Sequence, residues 1–85
     1  MPAKFFNVAK KADKNFLKLP RNIQARIIES YKKLKENPLV GEKLHGKLLG
    51  YYKLRIGDYR IVYKFDSKES LVEVVKIEHR QGVYK

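Results

Sequence analysis

The sequence of 85 residues contains no cysteine, only two histidines and only nine acidic residues. Without cysteine the chain forms neither a disulfide nor a thiolate metal site, which excludes a disulfide-stabilised secreted scaffold. Two histidines, His45 and His79, are too few for the usual structural zinc sites. We therefore expect a protein without a metal or another cofactor.

Long apolar runs are missing as well. No stretch approaches the roughly 20 apolar residues that cross a bilayer, and residues 1–10 lack the apolar core of a secretory signal. These absences predict a cytoplasmic protein with no membrane partner. The length predicts a single domain over residues 1–85, because single domains typically have about 50–250 residues.

Acidic residues are scarce relative to basic ones, since nine Asp and Glu stand against 20 Lys and Arg and leave a formal net charge of +11. Such an excess attracts polyanions such as nucleic acids and speeds encounter with them. An anionic membrane surface or an acidic protein would be attracted as well. The charge therefore indicates the sign of a partner and leaves its identity open.

The first half of the chain predicts a short strand and two helices. An apolar stretch over residues 4–9 suits an edge strand with Phe6 and Val8 on one face. From Lys10 the apolar residues recur at helical spacing, and Pro20 ends that helix and suits the first turn of another. The apolar positions of the first helix are Ala12, Phe16 and Leu19, and those of the second are Ile23, Ile27, Ile28, Tyr31 and Leu34.

The second half predicts strands. Asn37-Pro38 ends the second helix, and after a linker over residues 39–50 the apolar period changes from about 3.6 residues to 2. Strands are predicted over residues 51–56, 59–65 and 71–79, with Gly57-Asp58 as a two-residue turn and a polar turn over residues 66–70. Helices followed by strands indicate an α+β fold.

The two-residue turn also predicts the register of the hairpin, and directly paired residues share a face of the sheet. The expected pairs are Ile56 with Tyr59, Arg55 with Arg60, and Lys53 with Val62. One face then carries the core residues Tyr52, Leu54, Ile56, Tyr59, Ile61, Tyr63 and Phe65. The opposite face is cationic and carries Lys53, Arg55, Arg60, Val62 and Lys64.

The third strand extends both faces if its side chains alternate strictly. Val75 and Ile77 then join the core, whereas Lys76, Glu78 and Arg80 join the cationic face. Glu73 falls on the core side in this register.

Arg55 and Arg60 are predicted to face each other directly across the hairpin. Like charges in this position destabilise a sheet, and a solvated basic face is one interpretation. The alternative is that nucleic-acid phosphates neutralise these cations on binding, which suits arginine because its planar fork grips two phosphate oxygens.

Several motifs together resemble the RelE branch of the RelE/ParE toxin superfamily. They are Lys43-Leu44-His45-Gly46, residues 52–63 (YKLRIGDYRIVY), and His79-Arg80 followed by Val83-Tyr84. The Leu19-Pro20 junction and the isoleucine-rich helix after it fit the same pattern. The resemblance thus covers nearly the whole chain.

The resemblance implies two N-terminal helices packed on a small, mostly antiparallel twisted sheet. It further implies a toxin that enters the ribosomal A site, cuts messenger RNA there without a metal ion, and is held inactive by a cognate antitoxin. Messenger RNA, the ribosome and the antitoxin are therefore the expected partners.

Catalytic roles follow from the resemblance for four residues. These are Lys53 in proton transfer or charge stabilisation, Arg60 at the scissile phosphate, Arg80 at the phosphate or leaving group, and Tyr84 in stacking on a nucleotide. Arg55, Lys64, Lys76 and His79 are predicted to bind RNA or to support the site. The acid–base role stays open between Lys53, whose neutral form is favoured by nearby cations, and His79, which strict alternation points away from Arg80.

Two other functions stay open. A ParE-like toxin inhibits DNA gyrase by protein contact without an active site, and the joint presence of Lys53, Arg60 and Arg80 argues against it. A non-catalytic RNA-binding relative is harder to separate, because phosphate binding and phosphate cleavage use the same cations.

Overall fold

A computed structural model describes residues 2–79, and within this range the chain forms two α-helices and a five-stranded sheet. The elements are β1 (Phe5–Val8), α1 (Lys10–Leu17), α2 (Arg21–Glu36), β2 (Glu42–Lys43), a 3₁₀ turn (Gly46–Leu48), β3 (Tyr51–Ile56), β4 (Tyr59–Asp66) and β5 (Leu71–His79). The strand order is β1-β5-β4-β3-β2, with β1 parallel to β5 and the other neighbours antiparallel. The expected α+β architecture is confirmed.

Both helices pack on one face of the sheet, where the apolar pattern of the sequence placed the core. Ala12, Ile27 and Leu34 are fully buried there, together with sheet residues such as Ile61 and Val72. Ile28 is an exception to the predicted apolar face of α2, because 46% of this residue is exposed. It follows Ile27 by about 100° around the helix, which turns it away from the sheet. Within residues 2–79 neither helix is long and apolar enough to span a bilayer.

The register of the β3–β4 hairpin agrees with the prediction. Arg55 lies opposite Arg60, and Ile56 lies opposite Tyr59. Gly57 has a φ of 58°, in the left-handed region that a two-residue hairpin turn requires and that glycine adopts without a steric penalty. The turn residues therefore fix which side chains share a face.

The register of β5 departs from strict alternation. An irregularity between Val62 and Tyr63 pairs Val62 with Lys76 but Tyr63 with Val74, so Val75 is an extra residue in β5, as in a β-bulge. The prediction of Val75 as a core residue is therefore wrong, and Val74 is fully buried instead. Glu73 moves to the opposite face, where its carboxylate lies 3.2 Å from the Lys64 ammonium. The predicted positions of Lys76, Ile77 and Glu78 are confirmed.

The segment predicted as a linker, residues 39–50, contains a short strand that is anchored by a tyrosine. The hydroxyl of Tyr63 donates a hydrogen bond to the Pro38 carbonyl (2.8 Å) and accepts one from the Gly41 amide (2.9 Å). Tyr63 is fully buried. These contacts hold β2 against β3 and place Glu42 opposite Lys53.

The hydroxyl of Tyr31 is also buried, but it differs from that of Tyr63 in its hydrogen bonding. Its ring packs between Phe6 and Phe16, with ring centroids 5.2 and 6.5 Å away. Among residues 2–79 its Oη has no hydrogen-bond partner. Burial, with a smaller contribution from Asp13, raises the pKa of Tyr31 to about 12.

We expect Tyr31→Phe to increase the free energy of unfolding by about 1 kcal/mol, because an unpaired buried hydroxyl is costly and phenylalanine preserves the ring. Urea denaturation followed by circular dichroism measures the change. Tyr63→Phe is the matched control, and it should decrease stability because two hydrogen bonds are lost. Destabilisation by both variants to the same extent would contradict the prediction.

Candidate functional site

The sheet face opposite the helices carries most of the residues singled out in the sequence. We call it the charged face, and it comprises the cations Lys53, Arg55, Arg60, Lys64 and Lys76 interleaved with the carboxylates Glu42, Glu73 and Glu78. Side chains alternate between the two faces of a strand, so the pairing registers place these residues together. The predicted cationic surface therefore exists, but it is not purely cationic.

Val62 lies at the centre of the charged face and is nevertheless fully buried. It pairs with Lys53 on one side and with Lys76 on the other. Lysine covers apolar surface with its aliphatic stem while its ammonium stays in water. Burial of Val62 thus indicates that the aliphatic parts of Lys53 and Lys76 cover it, which limits the positions of the two ammonium groups.

Arg60 lies between a positively charged and a negatively charged side chain. Arg55 lies directly across from it on β3, and Glu78 lies directly across from it on β5. The Arg60 Nε donates a hydrogen bond of 2.6 Å to Oε2 of Glu78. The carboxylate offsets the repulsion between the two arginines, which explains how the sheet tolerates them side by side.

Glu78 contacts a second cation. Its Oε1 lies 2.6 Å from Nζ of Lys76, while Oε2 accepts from Arg60. Burial raises the pKa of the Glu78 carboxyl, but the hydrogen bonds and positive charges of Lys76 and Arg60 outweigh burial and hold it below its ordinary value of 4.5. Glu78 is therefore an anion at neutral pH.

Lys53 occupies the neighbouring row of the charged face. Its Nζ lies 3.9 Å from Oε2 of Glu42, and its side chain is 30% exposed. Glu42 is much more exposed, at 82%, so this ion pair is solvated and weak. The Lys53 ammonium is therefore accessible to a ligand.

Lys64 lies further along β4 and contacts different side chains from those around Arg60. Its Nζ is 3.2 Å from Glu73 and 6.0 Å from the centroid of the Tyr51 ring. Asn7 of β1 donates a hydrogen bond to the other oxygen of Glu73. These contacts extend the charged face toward β1 and away from Arg60.

His79 lies on the helix side of the sheet. It pairs with Tyr59, and the two rings meet edge to face with centroids 4.7 Å apart. Glu78 and Arg60 face the other way, as alternation along a strand requires. The structure therefore brings Lys53, Arg55, Arg60 and Lys76 together but sets His79 apart from them. Arg80 and Tyr84 lie outside the described residues.

Sequence reasoning missed two of the three carboxylates of the charged face, Glu42 and Glu73. Glu42 lies in a segment without clear periodicity, and the bulge in β5 hides the position of Glu73. Glu78 was placed on this face, but its pairing with Arg60 depends on the bulge in β5, because the register set by the second turn alone would pair Arg60 with Ile77. In the part of the chain that the structure describes, no three His, Asp or Glu side chains form a group that could hold a metal ion.

The geometry suits an anionic polymer better than a small molecule. The charged face extends over three neighbouring strands, and fixed cations on such a surface can hold successive phosphates and stabilise charge that develops on one of them. Arg60 is held in place on this face, because its 2.6 Å hydrogen bond to Glu78 limits the orientation of the guanidinium.

Comparison with known proteins gives the same family by sequence and by structure. Residues 6–84 match the family described as the ParE toxin of the type II toxin–antitoxin system parDE. The toxin RelG of Mycobacterium tuberculosis is 33% identical over 76 residues, which are 87% of this chain and 87% of RelG. The toxin RelE of the same organism is 34% identical over 76 residues, covering 87% of this chain and 78% of that protein.

Solved structures agree. A chain of the toxin–antitoxin complex RelBE2 from Mycobacterium tuberculosis superposes with a TM-score of 0.85 at 30% identity, covering 94% of this chain and 93% of that one. The isolated E. coli RelE toxin gives a TM-score of 0.78 at 25% identity, covering 94% of this chain and 89% of that one. The chain therefore belongs to the RelE/ParE superfamily and is a toxin of a type II toxin–antitoxin system.

Proposed function

We propose that this toxin is a messenger-RNA endonuclease that acts in the ribosomal A site and thereby inhibits translation. The observation that carries the proposal is the placement of Arg60 on the charged face, beside Arg55 and within one row of Lys53. RelE and RelG, at 33–34% identity, support a RelE-type activity by similarity.

In the proposed reaction the ribose 2′-oxygen attacks the adjacent phosphorus, which forms a 2′,3′-cyclic phosphate and breaks the bond to the 5′-oxygen. The 2′-OH loses one proton and the departing 5′-oxygen gains one. Arg60 stabilises the extra negative charge on the phosphate, because a preorganised cation acts without reorganising during the reaction. Lys53 moves a proton or stabilises charge. Arg55, Lys64 and Lys76 hold the flanking phosphates, and no metal ion is required for any of these steps.

Two proposed participants come from the sequence alone. Arg80 would stabilise the phosphate or the leaving group, and Tyr84 would stack on a nucleotide, a contact worth about 1–3 kcal/mol in single-stranded sites. His79 faces Tyr59 instead of the charged face. We therefore assign proton transfer to Lys53 in preference to His79.

A cognate antitoxin is the proposed protein partner, and the cytoplasm is the proposed location. The solved relatives include RelB–RelE complexes from E. coli and from Pyrococcus horikoshii. The net charge of +11 is suited to an acidic antitoxin as well as to RNA.

Inhibition of DNA gyrase is the second candidate, because the matching family is described by its ParE toxin. Inhibition of gyrase requires a surface that binds protein, and it does not require a fixed arginine on the charged face. The charged face favours the nuclease, and the two activities are separable by experiment.

The test is to induce the chain in cells and map the 5′ ends of messenger RNA, with translation running and with initiation blocked. We expect new ends inside codons, present only during translation, because the proposed substrate is messenger RNA on the ribosome. Growth arrest without new ends, together with loss of supercoiling by purified gyrase, would overturn the nuclease and support the second candidate.

A further inference from the structure

Glu78 is the least exposed of the three carboxylates of the charged face, and it has no part in the proposed reaction. Its side chain is 20% exposed, compared with 29% for Glu73 and 82% for Glu42. Its contacts with Arg60 and Lys76 are also shorter than those of the other two carboxylates, at 2.6 Å each. A well-placed anion among cations that bind phosphate requires an explanation.

The contact uses a particular nitrogen of the guanidinium. Glu78 accepts from Nε of Arg60, and among residues 2–79 this is the hydrogen bond that the Arg60 side chain makes. Arginine has five N–H donors in a planar fork, four of them on the two Nη atoms. The carboxylate therefore holds the stem side of the guanidinium and leaves the Nη donors for a ligand.

Without Glu78 the guanidinium would turn away from this orientation. Arg55 lies directly opposite Arg60 and repels it. Long side chains also have several rotamers of similar energy, and a phosphate-binding group that must first be ordered loses binding energy to that ordering. Glu78 opposes both effects because it lies on the other side of Arg60.

We propose that Glu78 is a positioning residue, which holds Arg60 through Nε so that its Nη donors face the scissile phosphate. This role rests on the proposed function for its effect on cleavage. The orientation of Arg60 itself does not, and it can be measured on the protein alone.

The alternative role for Glu78 is an anion that competes with RNA for Arg60. Competition predicts tighter RNA binding and faster cleavage when the carboxylate is removed. Positioning predicts slower cleavage without weaker binding, because the removed negative charge compensates for the lost order. The two roles therefore predict opposite changes in the rate of cleavage.

The first experiment follows the Arg60 Nε–H by nuclear magnetic resonance in the free protein. We expect its hydrogen exchange to be at least about tenfold slower than that of the exposed Arg21, because a persistent hydrogen bond protects the proton. Glu78→Gln should retain this protection, since the amide oxygen also accepts, and Glu78→Ala should lose it. An unprotected Arg60 Nε–H in the wild-type chain would overturn the proposal.

The second experiment measures single-turnover cleavage on programmed ribosomes, and affinity with a messenger RNA methylated at the 2′-oxygen of the cut site. Glu78→Ala should slow cleavage by about 10–100-fold, since small misplacement of a catalytic group has effects of this size. Its RNA affinity should not fall, and Glu78→Gln should recover most of the rate. Glu36→Gln, which removes an exposed carboxylate at the end of α2 and leaves the charged face unchanged, should change the rate little.

Each outcome of these experiments either supports or overturns the positioning role of Glu78. Faster cleavage and tighter binding by Glu78→Ala would establish competition and overturn positioning. Equal losses in Glu78→Gln and Glu78→Ala would also overturn it, because the amide still accepts the hydrogen bond. If the wild-type chain cuts no RNA on the ribosome, the proposed function fails, and the exchange of the Arg60 Nε–H still decides whether Glu78 positions Arg60.

Discussion

Replacing Arg60 with alanine is expected to lower the rate of messenger-RNA cleavage by about 100–1,000-fold, because it removes a preorganised cation from the developing charge on the phosphate. The fold should persist. The Arg60 side chain is 26% exposed, and Glu78 retains Lys76 as a partner. Loss of such a partly exposed ion pair changes the free energy of unfolding by about 1 kcal/mol or less.

Single-turnover cleavage on programmed ribosomes measures this effect, with a thermal unfolding curve for each variant. Arg21→Ala is the matched control, since Arg21 is an exposed arginine at the start of α2 and leaves the charged face unchanged. Arg60→Lys separates charge from geometry. It keeps the positive charge but loses the planar fork, so it should recover only a small part of the rate. Full activity of Arg60→Ala would show that the phosphate is bound elsewhere.

Those parts of the fold that depend on local signals could be predicted from the sequence. The turn Gly57-Asp58 and the alternation on either side of it predict the register that pairs Arg55 with Arg60, and the structure has this register. The helical hairpin follows in the same way from apolar spacing and Pro20. In these segments, the local pattern and the tertiary packing favour the same conformation.

The bulge in β5 could not be predicted in this way. Residues 71–77 (LVEVVKI) contain apolar residues at both odd and even positions, so either register buries valines. The pairing with β4 selects Val74 for the core, and Glu73 then reaches Lys64. One extra residue therefore reverses the face of every side chain before it, including a carboxylate of the candidate site.

The site could be predicted only in part, for a related reason. The cations lie on strands with clear alternation, and Lys53, Arg55, Arg60 and Lys76 were placed together correctly. Glu42 comes from β2, which depends on contacts between residues distant in sequence, such as Gly41 with Tyr63. A short segment held by such contacts shows no local periodicity from which its strand could be predicted. The catalytic roles themselves, including those of Arg80 and Tyr84, stay predictions.

Replacing Gly41 with alanine is expected to decrease the free energy of unfolding by about 3 kcal/mol, at the upper end of the effect of overpacking. A Cβ at this position would lie 2.6 Å from the Lys53 carbonyl oxygen and 2.6 Å from the Tyr63 hydroxyl. The Lys53 carbonyl is part of the β3 backbone and cannot move aside alone. The segment must therefore lift from the sheet, which breaks the hydrogen bond from Gly41 to Tyr63. Urea denaturation measures the loss.

Gly46→Ala is the control that separates crowding from backbone conformation. Gly46 has a φ of 69° but nothing lies within 4 Å of an added Cβ, so alanine there should decrease stability by about 1–2 kcal/mol through backbone strain alone. A larger loss at Gly46 than at Gly41 would contradict the packing argument. Because β2 pairs with β3 at Lys53, lifting this segment also disturbs the backbone that positions the lysine, and Gly41→Ala should slow cleavage even at temperatures where the chain stays folded. Gly46→Ala should not, since it leaves the contact between Gly41 and Tyr63 in place.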